Sequence, residues 1–275
     1  MSTASSSVSS SSSSSVSNAF ADSATMLRRQ LRHMLRYPTL ILTAAGVPVI
    51  FLLLFVYVLG GTLGSGLGGA SGGRDAYVNY VVPGVILMTV ATAAQGTAIS
   101  VAIDMTEGIV ARFRTMAIAR VSVLTGHVLG SLIQTLLSIA AVTGVALLVG
   151  FEPTADFGEW IGAIGVLVVV VLALTWLSVA LAMVAKSVAT ASNMLTPLMI
   201  LPMMGSGFVP TDSMPAGLKW FADYQPFTPF IETLRGLLMG TPIGNSAILA
   251  IGWCTLIALG SYLWARKVYN REPTK

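Results

Sequence analysis

Six apolar runs without a single charge decide what this chain can fold into. They occupy residues 40–59, 80–103, 124–149, 161–185, 189–208 and 246–264, and none contains Asp, Glu, Lys or Arg. Together they hold 134 of the 275 residues, where a 9% charged fraction spread evenly would place about a dozen charges. A charge at bilayer depth costs about 2.5–3.5 kcal/mol on insertion scales, so spans exclude it. About 20 residues at 1.5 Å rise cover the ~30 Å hydrocarbon core. Hydrocarbon offers backbone N–H and C=O groups no partner, so each run must satisfy its own as a helix. The pattern predicts an all-α integral membrane protein, with six transmembrane helices in a domain at 38–267.

Composition excludes the alternatives. A soluble surface carries roughly 25–35% charged residues, and 15 basic plus 11 acidic residues cannot furnish one. A soluble enzyme, a nucleic-acid-binding domain and a disordered chain are therefore ruled out. The net charge of +4 implies no nucleic-acid partner, because the basic residues sit beside the runs. The lone Cys254 rules out an intrachain disulfide and CxxC chemistry.

The basic residues also set orientation. The N-terminal flank, the loops at 104–123 and 186–188, and the C-terminal end (tail 268–275) hold 12 of the Lys and Arg residues. The other three loops hold only Arg74, Lys219 and Arg235, so both termini are expected to be cytoplasmic. Residues 1–18, with 12 serines in the first 17, have almost nothing apolar to bury and are expected to be disordered. They are no secretory signal: four arginines precede the first run, which is too long for a signal core and lacks a following A-x-A site.

Two further segments read as helices that do not span. In 19–37, Phe20, Ala24, Leu27 and Leu31 share one face, while Arg28, Arg32 and Arg36 form a basic stripe. That is an amphipathic interfacial helix, with an ordinary solvated helix as the alternative. The outer loop at 209–245 holds Pro210, Pro215, Pro226, Pro229 and Pro242. Thr228 is placed to cap a short helix at 229–239, with Pro229 in its first position and Gly240 past its end. This helix, which carries Glu232 and Arg235, and the apolar segment 215–221 are too short to span. They predict an extracellular re-entrant hairpin, with a surface loop bearing interfacial aromatics as the alternative.

Most apparent motifs fail on context. Gly64–Gly69 fits G-x-G-x-x-G, yet no strand precedes it, and 8 of residues 60–73 are glycine. The same glycines produce a G-x-S-x-G match at 69–73. No P-loop and no metal-ligand spacing occurs, so no cofactor is expected in this chain. Uncharged polar groups inside the runs carry more information, since they face other helices or a cavity. Thr89, Thr92, Gln95 and Ser100 share a face of the second run; His127 and Gln134 share one on the third; Ser192, Asn193 and Thr196 open the fifth. Met194, Met199, Met203 and Met204 could line an adaptable apolar surface, or simply pack. Pro48, Pro197 and Pro202 are expected to kink the first and fifth runs.

The loop at 104–123 alternates charged Asp104, Glu107, Arg112, Arg114 and Arg120 with Ile109, Val110, Phe113 and Met116. It is long enough for a helix lying against a cytoplasmic partner. With this loop, the layout from about residue 20 to 267 resembles the membrane subunit of type-2 ABC exporters, particularly the daunorubicin-resistance-type drug and lipid export permeases. Three stretches carry the resemblance: the amphipathic 19–36; Glu107-Gly108 with Arg112-Phe113-Arg114-Thr115-Met116-Ala117-Ile118-Ala119-Arg120; and Ser206-Gly207-Phe208-Val209-Pro210 with Met214-Pro215, Gln225-Pro226 and Leu234-Arg235-Gly236-Leu237-Leu238. The family often has proline where Ala117 and Ala119 stand, and Asn-Pro where Gln225-Pro226 stands.

The resemblance implies a bacterial plasma-membrane exporter in which a separate ABC ATPase, in two copies, binds ATP and Mg. Glu107, Gly108, Arg112, Phe113 and Arg114 would couple to it, with Arg28 and Arg32 of the connecting helix. A second permease copy or a sister permease would complete the path. A hydrophobic drug or lipid would move along the first, second and fifth runs, past Thr92, Gln95, Met194, Thr196, Met199 and Met203. Pro215, Pro226, Pro229, Glu232 and Arg235 would shape the re-entrant helices. The competing readings are an ion-coupled carrier and an intramembrane enzyme with His127 as base. The first is disfavoured because the runs hold no ionisable group but His127 and no paired broken helices.

Overall fold

The computed structural model of the protein describes residues 39–68, 73–106 and 120–270. The serine tail, the segment with Arg28 and Arg32, and the loop with Glu107, Gly108, Arg112, Phe113 and Arg114 lie outside the described residues. Within the described residues every regular element is helical. Helix α1 (Thr39–Leu54) passes through a π-helical turn (Phe55–Leu59) into α2 (Gly60–Gly68). The chain departs from α geometry at 55–59, and Pro48 lies within α1.

The glycine-rich stretch read as loop is therefore helical through Gly68. Glycine weakens a helix by up to about 1 kcal/mol per residue, but here it allows close approach. Gly60 is buried, and a Cβ on it would meet Arg74 Cγ at 3.3 Å; Gly64 lies directly against the Gly73 backbone. Helix α2 thereby packs against α3 (Arg74–Thr106), which begins six residues before the apolar run at 80. Its exposed Arg74 sets its guanidinium 4.4 Å over the Tyr57 ring.

Helix α3 is the centre of the bundle. It packs on α1, α2, α4 (Arg120–Val149), α5 (Phe157–Val184), α6 (Val188–Met204) and α8 (Phe227–Met239). In its most apolar window 61% of residues are buried, against 17% in α9 (Ser246–Asn270), so α9 forms the outer wall against α5 and α8. A helix apolar on all sides is what a central position requires.

Local signals fix the ends. Asp156 and Glu159 form a reciprocal capping box at the start of α5: Asp156 Oδ1 accepts from Glu159 N–H at 2.7 Å, and Glu159 Oε2 accepts from Asp156 N–H at 2.8 Å. The Ser187 hydroxyl accepts from Thr190 N–H and caps α6. Gly240 follows α8 at φ +66°, the left-handed stop expected there.

Two expectations are corrected. Helix α6 ends at Met204, four residues before the apolar run does, because 205–208 turn away to meet the side chains of Gln225 and Arg235. At 17 residues it is about 25 Å long, whereas five other described helices are long and apolar enough to cross a membrane. Thr228 does not cap α8, which starts at Phe227 after Pro226; its hydroxyl instead donates to Ala222 O at 2.5 Å. That bond ties α8 to α7 (Ala216–Tyr224), which runs one turn past 221.

Candidate functional site

At the end of the bundle where α6 stops, three glycines allow close approach. Gly84 of α3 faces Gly207, whose carbonyl oxygen would lie 2.6 Å from a Cβ on Gly84. Gly205 lies beside the Gln225 side chain and Gly207 beside Pro202 O. Only small residues permit such approach. The turn at 205–208 is consequently buried, and its carbonyls need donors.

Those donors come from far along the chain. Tyr77 Oη donates to Phe208 O at 3.1 Å and Tyr80 Oη to Ser206 O at 2.9 Å. Gln225 Nε2 donates to Leu201 O, in the last turn of α6, at 2.9 Å. Arg235 Nη2 donates to Ser206 O at 2.7 Å and to Tyr80 O at 3.1 Å, while Nη1 donates to Glu232 Oε1 at 2.6 Å. The Arg235 guanidinium also stacks 3.8 Å from the Tyr80 ring centroid. Arg235 is only 6% exposed. A buried guanidinium is tolerated when its planar fork is matched by acceptors, as here. Its charge also faces the end of α6, where the helix carbonyls concentrate partial negative charge.

Beside this clasp lies an open cleft of about 670 Å³, lined by Tyr80, Ser206, Asp212, Asp223, Glu232 and Arg235 among others. At its rim Lys219 Nζ meets Asp212 Oδ1 at 2.5 Å. This pair holds the Asp212 carboxyl below its ordinary range and pushes Lys219 up, through the hydrogen bond first and the charge second. Within the clasp, Ser206 Oγ, Gln225 Oε1 and Arg235 Nε are buried without a hydrogen-bond partner among the described residues.

Deeper in the bundle, the polar residues of the second and fifth runs form a seam between α3 and α6. Gln95 Nε2 donates to Ser192 O at 3.1 Å and reaches Ser192 Oγ at 3.2 Å. Thr97 Oγ1 and Ser131 Oγ lie 2.8 Å apart across α3 and α4. Thr92 donates to Met88 O and Thr196 to Ser192 O, each within its own helix. The methionines do not share one face: Met194 is 43% exposed, whereas Met199 and Met203 pack against the main core. Pro215 and Pro226 precede α7 and α8, and Pro229 lies buried in the first turn of α8. Among the described residues no cluster of His, Cys, Asp or Glu could hold a metal ion. The donors Tyr77 and Tyr80 had no sequence signal; Gln225 and Arg235 stood out only through the family resemblance.

Long helices with charge-free apolar stretches around a central α3, clasped at one end by α7 and α8, define a multi-pass helical membrane protein. The ABC-2 type transporter family profile matches residues 23–239, and the chain belongs to that family. It is a permease subunit, and in such transporters the nucleotide is handled by an ABC ATPase partner. The chain is 28% identical over 209 residues to the daunorubicin resistance ABC transporter permease protein DrrB1 of Streptomyces coeruleorubidus, covering 74% of this chain and 70% of that one. It is 23% identical over 234 residues to the probable doxorubicin resistance ABC transporter permease protein DrrC of Mycobacterium tuberculosis, covering 85% and 83% of the two.

Proposed function

We propose that this chain is the membrane subunit of an ATP-driven exporter that moves a hydrophobic or amphipathic drug or lipid out of a bacterial cell. The observation that carries the reading is the reach of the family match, from residue 23 before the first span to residue 239 at the end of α8. It takes in the connecting segment, the cytoplasmic loop and the outer hairpin together. The drug cargo is read from the names of the two relatives, both drug-resistance permeases.

In this reading α6 is the fifth of six crossings, its short length completed by the clasped turn, and both termini are cytoplasmic. Helices α7 and α8 form the re-entrant hairpin on the outer side. Residues 104–123 couple to the ATPase through Glu107, Gly108, Arg112, Phe113 and Arg114, with Arg28 and Arg32 on the connecting helix. Two permeases pair with two ATPases. Exposed Asn193, Met194, Thr196 and Ile200 give α6 a face that mixes polar and apolar groups. Such a face suits the path between two permeases better than lipid.

The test is to purify the chain with the ATPase encoded beside it, in nanodiscs. A stable complex whose ATP hydrolysis changes with the permease is expected. Reversing Glu107 and Arg112 should then abolish export while insertion persists. Absence of a complex, together with hydrolysis indifferent to the permease, would refute the reading.

A further inference from the structure

We propose that the exposed aromatic face of α7, formed by Trp220, Phe221 and Tyr224, is a lipid-docking surface that seats the clasp end of the bundle in the headgroup–acyl boundary of the bilayer. Helix α7 packs inward through the fully buried Ala222. On its other side Trp220 and Tyr224, one turn apart, are 66% and 68% exposed, with Phe221 beside them at 37%. The Trp220 and Tyr224 ring centroids lie 5.4 Å apart, so the rings form one patch. Indole and phenol rings join an apolar body to a polar tip, which suits a boundary better than hydrocarbon or water alone.

Two observations identify the occupant. The first is where the other exposed aromatics stand. At the clasp end, exposed Tyr57 follows Phe55, whose ring centroid lies 4.7 Å from that of Phe208 in the clasped turn. Exposed Phe157 opens α5 close to Thr154, whose N–H donates to Leu238 O of α8. The remaining exposed aromatics among the described residues, Tyr262 and Trp264, lie toward the far end of α9, where Tyr262 meets Trp176 of α5 edge to face. From Phe157 to Trp176, α5 rises about 28 Å, close to the ~30 Å of a hydrocarbon core. The exposed aromatics therefore form two belts at the spacing of the two membrane surfaces, and α7 belongs to one of them.

The second observation is charge. Asp223 is exposed between Trp220 and Tyr224, and a charge is excluded from bilayer depth, so the face stops at the headgroups. Residues 209–226 hold two acids, Asp212 and Asp223, against Lys219, and so offer anionic lipid no attraction. Apolar burial drives the contact instead. A second copy of the chain is a poorer occupant: three aromatic side chains at these exposures offer at most about 500 Å², short of the ~800 Å² per partner of a stable interface.

The inference needs only a chain that crosses the bilayer, so its failure and the failure of the exporter reading are distinguishable. Full-length chain and its W220F variant are placed in phosphatidylcholine nanodiscs carrying a nitroxide either just below the headgroup or at the acyl-chain end. The difference between the two emission spectra isolates Trp220 from the other tryptophans. W220F keeps a ring at an exposed position, so the fold is retained. Trp220 emission is expected to lose more to the shallow nitroxide than to the deep one, and adding phosphatidylglycerol should leave the ratio of the two losses unchanged. A greater loss to the deep nitroxide would put the face in hydrocarbon. Quenching by aqueous acrylamide with no loss to either nitroxide would put it in water, and shielding from all three would put it against a second copy or another protein. Any of these, or a ratio that follows phosphatidylglycerol content, overturns the proposal.

Discussion

Replacing Arg235 with Met tests the clasp most directly. Methionine keeps much of the aliphatic stem's packing and removes the guanidinium. Lost with it are the bonds to Ser206 O and Tyr80 O, the stacking on Tyr80 and the pair with Glu232. Hydrogen bonds from a charged donor contribute about 1.5–3 kcal/mol each, and a partly desolvated cation–π contact about 1–2 kcal/mol. Two offsets apply. Ser206 O keeps its bond from Tyr80 Oη, and the Glu232 side chain, 36% exposed, is rehydrated when its partner leaves. The net loss expected is about 3–5 kcal/mol, the usual range for removing one member of a buried charged cluster. At roughly 2–4 °C per kcal/mol for large chains, the melting temperature falls by about 6–20 °C. R235K keeps the charge but not the planar fork, and is expected to recover less than half of that loss. The assay is thermal unfolding of the full-length chain in detergent, paired with limited proteolysis of the 209–245 loop, which should become cleavable in R235M at temperatures where wild type resists. A melting temperature within about 3 °C of wild type, with unchanged proteolysis, would show that the clasp does not hold that end of the bundle.

Two other predictions follow from single sites. Gly84→Ala places a Cβ 2.6 Å from Gly207 O and 2.7 Å from Gly207 Cα, both backbone atoms that cannot swing away. It should destabilise by about 1–3 kcal/mol or more, whereas Gly144→Ala, with nothing within 4 Å, should be neutral or stabilising; equal melting temperatures for the two variants would count against the crossing. The Asp212–Lys219 pair sets a pH dependence. With Asp212 held low, its contribution is complete above the ordinary carboxylate range and is lost as pH falls through the lowered value. With Lys219 pushed up, its contribution is complete below the ordinary lysine range and is lost as pH rises through the raised value. The difference in melting temperature between wild type and K219M should therefore be small and flat around neutrality and vanish in strong acid, and a difference that grows on acidification would contradict the pairing.

The spans were legible because the physics behind them is one-dimensional. A charge inside 40–59 or 246–264 would be costly wherever the neighbouring helices lie, so composition along the chain reports depth directly. The Gly240 stop was legible for a similar reason, since a left-handed residue is a local demand. Where the sequence misled, a distant partner had overridden a local preference. Glycines 60 and 64 read as loop until α3 is present to receive them. The end of the fifth apolar run at 208 is invisible in hydropathy, because Gly205-Ser206-Gly207-Phe208 is as uncharged as the helix before it. It stops being helical where Arg235 and Gln225 supply donors to its carbonyls. Thr228 has the chemistry of a cap, but its hydroxyl is taken by Ala222 O of the preceding helix.

The distribution of polar contacts has a mechanical consequence for α6. Along the inner bundle most hydroxyls return to their own helix: Thr89 to Val85 O, Thr92 to Met88 O, Thr97 to Ala93 O, Ser178 to Leu174 O. Such bonds satisfy the hydroxyl without attaching one helix to another. The link from α6 to α3 there is Gln95 with Ser192, bonds of 3.1 and 3.2 Å between neutral groups. At the other end, α6 and the turn after it are held by Gln225, Tyr77, Tyr80 and a charged Arg235, several of them short bonds to backbone. Bonds from a charged donor are roughly twice as strong as neutral ones. The Gly84–Gly207 contact adds a backbone crossing that tolerates little movement. A helix fixed this firmly at one end, and linked to α3 further along by the neutral Gln95–Ser192 contact among the described residues, is held more strongly at its Met204 end. The Ser187 end follows the short 185–187 connection and, in the orientation proposed above, lies on the side on which an ATPase partner would act.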